Sequence, residues 1–181
     1  MNEPFPERIS TARLELRPVV IADSEWIFAR YAQDIDVCRF MTWKPHERVE
    51  TVREWLTELI PDLYAGHRAA WIILHEGQGI GMIEARYPNH ACEIGYCIAR
   101  SAWGQGFMTE VVTAIRDEAM KIEGVHRFWA CADVENPAST RVMEKAGMER
   151  EGCLRRYINH PNLADNPRDV YLHAFVRPPR V

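Results

Sequence analysis

The segment Trp103-Gly104-Gln105-Gly106-Phe107-Met108-Thr109-Glu110 sets two glycines and a hydroxyl residue where an apolar strand pattern gives way to a helical one. The first N–H groups of a helix lack partners, and the helix dipole adds roughly half a positive charge there. Glycines allow a diphosphate to approach the main chain closely, and Thr109 can add a hydroxyl. A plain strand-to-helix turn with sterically required glycines fits these residues equally well. An ATP-type phosphate loop is excluded, because no Gly-Lys-Ser/Thr follows. The dinucleotide fingerprint needs a third glycine where Thr109 stands. Gly77, Gly79 and Gly81 share the alternating spacing but lie in a hairpin turn, which makes them structural.

Two carboxylates, Glu93 and Glu84, fall on neighbouring predicted strands that lead toward this turn. Either could accept a proton from a nucleophile, or be an exposed or paired strand carboxylate. Seven histidines raise the question of a metal, and His90-x-Cys92 is the nearest to a ligand pair. No third ligand follows at a recognised spacing, so no metal is expected. The five cysteines contain no CxxC pair, and Cys92 and Cys97 fall on opposite strand faces. This usage points to a reduced, cytoplasmic compartment.

The elements that must position these groups follow from periodicity. Arg13–Val20 reads as a first strand. Asp23 is placed to cap a helix over Ser24–Ala32, with Ile27, Phe28 and Tyr31 inward. A second helix is expected near Glu47–Leu63, with Thr51-x-x-Glu54 as a capping box and Val52, Trp55, Leu56, Leu59 and Leu63 on one face. Ala69–His75, Ile80–Tyr87 and Cys92–Ala99 form an antiparallel meander. Met108, Val112, Ile115, Ala119 and Ile122 predict an amphipathic helix over Gly104–Glu123. Arg127–Asp133 is a strand, and Asn136-Pro137 opens a helix that Gly147 closes. Cys153–Ile158 and Val170–Val176 are the last strands, joined by the loop His160–Arg168. The simplest way to bury this order is one mixed, mostly antiparallel sheet with helices on both faces, an α/β (α+β) fold in a single domain over 1–181.

The length of 181 residues suffices for a core without disulfides or metal, and a hydrophobic fraction of 47% with 27% charged residues is that of a globular protein. A net charge of −4 gives no general attraction to nucleic acid or anionic membrane, and neither partner is expected. The first eight residues carry acids and no apolar run, so they do not read as a leader, and no apolar stretch reaches the ~18 residues of a membrane span.

From Thr11-Ala12-Arg13-Leu14-Glu15-Leu16-Arg17-Pro18 to Arg168-Asp169-Val170-Tyr171, the chain resembles the GNAT superfamily of N-acetyltransferases, in its RimJ/RimL-like branch. Three blocks carry the resemblance by their order and spacing: Glu93-Ile94-Gly95-Tyr96, Trp103–Glu110, and Glu135–Met148 continuing to Glu151-Gly152. It implies direct transfer from acetyl-CoA to a primary amine, which could be a protein N-terminus, an amino acid or another small-molecule amine. It implies a cofactor grip by the main chain of Gly104, Gln105, Gly106, Phe107 and Met108 with Thr109. The family's Gln/Arg-x-x-Gly-x-Gly/Ala motif finds Ser101 at its first position, so one long donor is missing and Gln105, Arg100 or main-chain groups must compensate. Glu93 matches the family's catalytic glutamate, with Glu84 second. Free N–H groups of Tyr96 or Ile98, at an expected bulge in Gly95–Ile98, would face the thioester oxygen. The helical position that often carries an acidic tyrosine is Met143, which leaves Ser139 as the candidate acid. Asn136 is read both as pantetheine contact and as helix cap. Trp43, Glu84 and the loop His160–Arg168 are the candidate acceptor contacts, with Asp34, Asp36, Asp165 and Asp169 as further acids. A homodimer is plausible on the same resemblance. A non-catalytic acyl-CoA sensor on this fold is the alternative.

Overall fold

A computed structural model describes residues 5–64 and 68–178; residues 1–4, part of the stretch read for a leader, lie outside them. The strands are β1 (Ile9–Ser10), β2 (Leu14–Pro18), β3 (Arg68–His75), β4 (Gln78–Arg86), β5 (Ala91–Ile98), β6 (Arg127–Asp133), β7 (Glu149–Ile158) and β8 (Arg168–Val176). They form one sheet in the order β1-β2-β3-β4-β5-β6-β8-β7. Every neighbouring pair is antiparallel except β5–β6.

Alternation along each strand divides the apolar residues between two faces. On β3, Trp71 and Ile73 join one core with Leu14, Leu16, Ile83, Ile94 and Phe128, which α4 (Phe107–Ala119) and α5 (Pro137–Lys145) cover through Val111, Val112, Ile115 and Met143. Ala70 and Ile72 face the other way, onto α1 (Ser24–Ile27), its π-helical continuation Phe28–Ala32, α2 (Ile35–Cys38) and α3 (Val49–Tyr64). Ile27, Tyr31, Val52, Leu56 and Leu59 fill that second core. Cys92 and Cys97 do project to opposite faces.

Several local expectations are corrected. Asp23 does not cap α1 with its side chain. Its buried carboxylate instead accepts from the Val20 N–H at 2.8 Å, from Trp26 Nε1 at 2.8 Å and from both terminal nitrogens of Arg17. Burial works to raise its pKa, but the Arg17 hydrogen bond and the others outweigh it, so the carboxyl titrates low. Thr51 lies inside α3 and donates to Arg48 O rather than forming a capping box. Trp55, expected on the inner face of α3, is exposed. Helix α4 begins at Phe107 because Gly104 and Gly106 take φ of 74° and 78°, outside helical space. The expected bulge is absent from β5, whose register with β4 runs unbroken from Gly81↔Ile98 to Arg86↔Glu93. A bulge occurs one strand earlier, where Ile73↔Gly81 and Leu74↔Gly79 leave Ile80 as the extra residue of β4.

Gly81 is fixed by proximity: a Cβ built there would lie 2.5 Å from the Cys97 carbonyl oxygen. Main chain cannot yield cheaply at that distance, so Gly81→Ala is expected to destabilise the protein by about 3 kcal/mol. A midpoint of denaturant unfolding within error of the parent would contradict this. His173 on β8 is wholly buried. Burial holds its imidazole below the ordinary value of 6.5, so it is neutral in the folded state and protonates first in the unfolded one. Its contribution is therefore complete above 6.5 and is lost as pH falls toward the depressed folded pKa. Thermal unfolding of His173→Leu should show a shallower loss of stability across this range than the parent; an unchanged slope would remove His173 as a cause.

Candidate active site

The single parallel pair determines where a cleft can open. Strands β5 and β6 are in register only over Ala91↔Arg127, Cys92↔Phe128 and Glu93↔Trp129. Beyond these the strands part, while β5 stays paired to β4 as far as Ile98 and β6 stays paired to β8 as far as Asp133. The Ala99 N–H donates to Ile80 O on the β4 side at 2.8 Å. Strand alternation then turns the N–H groups of Tyr96 and Ile98 the other way, into the gap. Free donors therefore face the gap without a bulge.

The gap leads into a cavity of about 460 Å³. Its walls include Glu93, Gly95, Tyr96 and Cys97 from β5, Ala130–Asp133 from β6, and Asn136 and Ser139 from α5. Glu84, Arg68 and Arg86 close the β3–β4 side, and Phe40–Trp43, His46 and Trp55 line the far end. A clasp roofs it. Asn162 Nδ2 donates to Cys38 O at 2.7 Å and to Trp43 O at 2.8 Å, and His160 Nδ1 lies 3.4 Å from Met41 O. Trp43 stacks on His46, with ring centroids 5.2 Å apart. Thus Glu93, Glu84, Tyr96, Asn136, Ser139 and Trp43 meet around one space.

Their partners differ in kind. Glu84 is held by Arg68 through two hydrogen bonds of 2.6 and 3.0 Å, with Arg86 a further 3.4 Å away. Both of its carboxylate oxygens are thereby engaged. Glu93 has a looser contact, 3.4 Å to Arg86 Nη2, and its side chain is 36% exposed. Its carboxylate is free to reach a ligand. Asn136 caps α5 by accepting the Ser139 N–H on Oδ1 at 3.1 Å, and its amide nitrogen has no partner among the described residues. Capping therefore leaves the amide nitrogen available. The Tyr96 hydroxyl lies 2.7 Å from Ser139 Oγ. Met143 is wholly buried in the core below, away from the cavity. Cys97 lines the cavity, but burial pushes its thiol well up, with Cys38 adding to the effect, so it stays protonated. Asp133 is locked by Arg168 at 2.6 and 3.0 Å. Burial works to raise its pKa, yet the Arg168 hydrogen bonds and the Glu135 N–H hold the carboxyl low. Asp34 and Asp36 are bound by Arg100 at 3.1 and 2.8 Å, outside the cavity.

The turn past Ile98 is organised separately. Ile98 itself and residues Gly104–Thr109 do not line the cavity; they continue from its β5 wall. Glu110 N–H is bonded to Gly106 O at 3.1 Å, so the N–H groups of Phe107, Met108 and Thr109 precede the first helical bond. The side chains of Phe107 and Met108 are buried, which leaves only their main chain for a ligand. Nothing lies within 4 Å of where a Gly104 Cβ would be. Both compensating side chains are already committed: Gln105 Nε2 donates to Ser101 O at 3.1 Å, and Arg100 serves the aspartates. A different cation approaches. Arg13 donates to Gln105 O at 3.0 Å and to Glu110 at 2.8 Å, its guanidinium lies 4.6 Å over the Phe107 ring, and its Nη2 would be 3.6 Å from a Gly106 Cβ. Thr11 completes this brace through Glu110. The residues that sequence reasoning missed are Arg13, Arg86, and the side chain of Tyr96. No periodicity links Arg13 to Glu110, which are 97 positions apart.

An open main-chain cradle at a helix start, continuous with a cleft that carries free N–H groups and a carboxylate, fits an elongated phosphorylated acyl donor at one end and an acceptor at the other. Comparison with known proteins agrees. The family described as "Acetyltransferase (GNAT) domain" matches residues 13–149. The uncharacterized N-acetyltransferase YoaA of Bacillus subtilis is 28% identical over 176 residues, covering 94% of this chain and 97% of the relative. The ribosomal-protein-serine acetyltransferase of Escherichia coli is 30% identical over 114 residues, 60% of this chain and 61% of that one. Mycobacterium smegmatis RimJ, solved in complex with CoA-disulfide, superposes with a TM-score of 0.86 at 22% identity, covering 97% of this chain and 90% of that one. The chain belongs to the GNAT acetyltransferase family.

Proposed function

We propose that the protein transfers an acetyl group from acetyl-CoA to a primary amine by direct attack, with the β5–β6 gap as the reaction site. The observation that carries this reading is the parting of β5 from β6 immediately after Glu93, which sets a loosely paired carboxylate at the head of a row of N–H groups that face a gap instead of a neighbouring strand. Acetyl-CoA, when bound, supplies an activated thioester. The main chain of Gly104–Met108 with Thr109, braced by Arg13, would hold its diphosphate, and the Asn136 amide its pantetheine arm. The N–H groups of Tyr96 and Ile98 would face the thioester oxygen, where negative charge grows during attack. Glu93 would take the proton of the attacking amine, and Ser139 would face the leaving sulfur.

The acceptor would enter past Trp43 and the Arg68–Glu84–Arg86 group. The hydrogen bonds from Asn162 tie the loop after β7 to the Cys38 and Trp43 carbonyls beside this entry, which favours a small amine or a narrow peptide terminus over a folded surface. Relatives named for ribosomal-protein acetylation are consistent with the second of these.

Incubation with acetyl-CoA and a panel of amines, read as free thiol, should show release that requires an amine. Tight CoA binding without turnover would sink the enzymatic reading in favour of a sensor. Glu93→Gln should lower kcat by about 10²-fold or more, most at low pH where the amine holds its proton, with CoA affinity unchanged. Unaltered turnover would remove Glu93 from the mechanism. Gly106→Glu sets a carboxylate in the cradle at a φ of 78°. It should weaken CoA binding by at least about tenfold while costing only about 1–2 kcal/mol of stability. Retained affinity would refute the diphosphate site.

A further inference from the structure

The cavity holds a hydroxyl pair that the fold alone does not require. Tyr96 rises from β5 and Ser139 from the first turn of α5, the helix that follows β6. Their oxygens are 2.7 Å apart, and both residues line the cavity. The tyrosine hydroxyl has one proton and two acceptors within reach, Ser139 Oγ at 2.7 Å and Ser139 O at 3.4 Å. A hydrogen bond at the longer distance is weak. If Ser139 donated to Tyr96, the tyrosine proton would have only that weak acceptor. If Tyr96 donates to Ser139 Oγ, its proton is well used and the serine proton is free for a third group in the cavity.

We propose that Tyr96 is the positioning residue for Ser139: its hydroxyl donates to Ser139 Oγ and so aims the serine O–H at the leaving sulfur of the acyl donor. This rests on the reading that CoA occupies the gap. The bond that breaks is the thioester C–S bond, whose electron pair stays on sulfur, and the serine O–H donates a hydrogen bond to the resulting thiolate. No proton leaves either hydroxyl in this step. Burial pushes the Tyr96 phenol up to about 12, against a smaller opposite effect of its bond to Ser139. A thiol titrates some units lower, so the phenol stays protonated while the sulfur is anionic. Hydrogen bonds to an ionised acceptor are about twice as strong as neutral ones, and a donor to the charged form lowers that group's pKa. The strand tyrosine and helix serine thereby serve together at a site from which the Met143 side chain of α5 is turned away into the core.

The test is the titration of the thiol of bound CoA, read as ultraviolet thiolate absorbance against the same protein holding desulfo-CoA. CoA affinity is measured in parallel. In the parent, the bound thiol should titrate about one pH unit below free CoA. Ser139→Ala should abolish the shift. Tyr96→Phe should lose at least half of it with CoA affinity held within about twofold, and the double variant should match Ser139→Ala alone. A full shift in Tyr96→Phe, or losses that add in the double variant, would overturn the positioning role. Tight binding of CoA with an unshifted thiol in the parent would overturn it while leaving the CoA site intact. Failure of the parent to bind CoA would overturn both.

Discussion

The parallel contact between β5 and β6 is three residue pairs long, and the proposed chemistry depends on its being so short. Paired N–H groups cannot serve a ligand. By ending at Glu93↔Trp129, the contact leaves the N–H groups of Tyr96 and Ile98 without a strand partner among the described residues, in the middle of an eight-stranded sheet. Such groups are costly to bury without a partner, which is the physical reason to expect a polar ligand there. The surrounding pairs keep the gap from closing: β5 is tied to β4 through Ile98, and β6 to β8 through Asp133. Each wall is thus held by its outer neighbour, and the two cores anchor the sheet from both faces.

The electrostatics around the gap sort groups by commitment. Glu84, Asp133 and Glu110 are each held by a close arginine; burial works to raise the pKa of Asp133 and Glu110, but the Arg168 hydrogen bonds at the first and those from Thr11 and Arg13 at the second outweigh it, so both titrate low. They fix structure. Glu93, with a single 3.4 Å ion pair and a partly exposed side chain, is the carboxylate left available. The same division holds at the helix start, where Arg13 braces the main chain of the turn and leaves its N–H groups unused.

Much of this was legible in the sequence for local reasons. The strand Arg127–Asp133 and the Asn136 cap with Pro137 at the first helical position are set by nearest neighbours, and both are found as expected. Glu93, Ser139 and Asn136 were identified by resemblance, and the fold brings them around one cavity. What was illegible depends on distant contacts. Arg13 reaches Glu110 across the sheet, and Tyr96 meets Ser139 from 43 positions away. The start of α4 lies later than expected because nothing in the apolar spacing from Met108 onward marks Gly104 and Gly106 as residues of positive φ. The bulge expected in β5 was a misplaced cause: unpaired donors there come from divergence of the neighbouring strand, a property of β6 that no pattern within β5 encodes.

Amide hydrogen exchange with and without CoA tests the central claim most directly, because it reports on these N–H groups one by one. CoA should slow exchange at residues 94–98, at 104–109 and at the start of α5, and leave the β7–β8 edge unchanged. Absence of protection in both 94–98 and 104–109 under saturating CoA, or protection confined to other surfaces, would contradict the account.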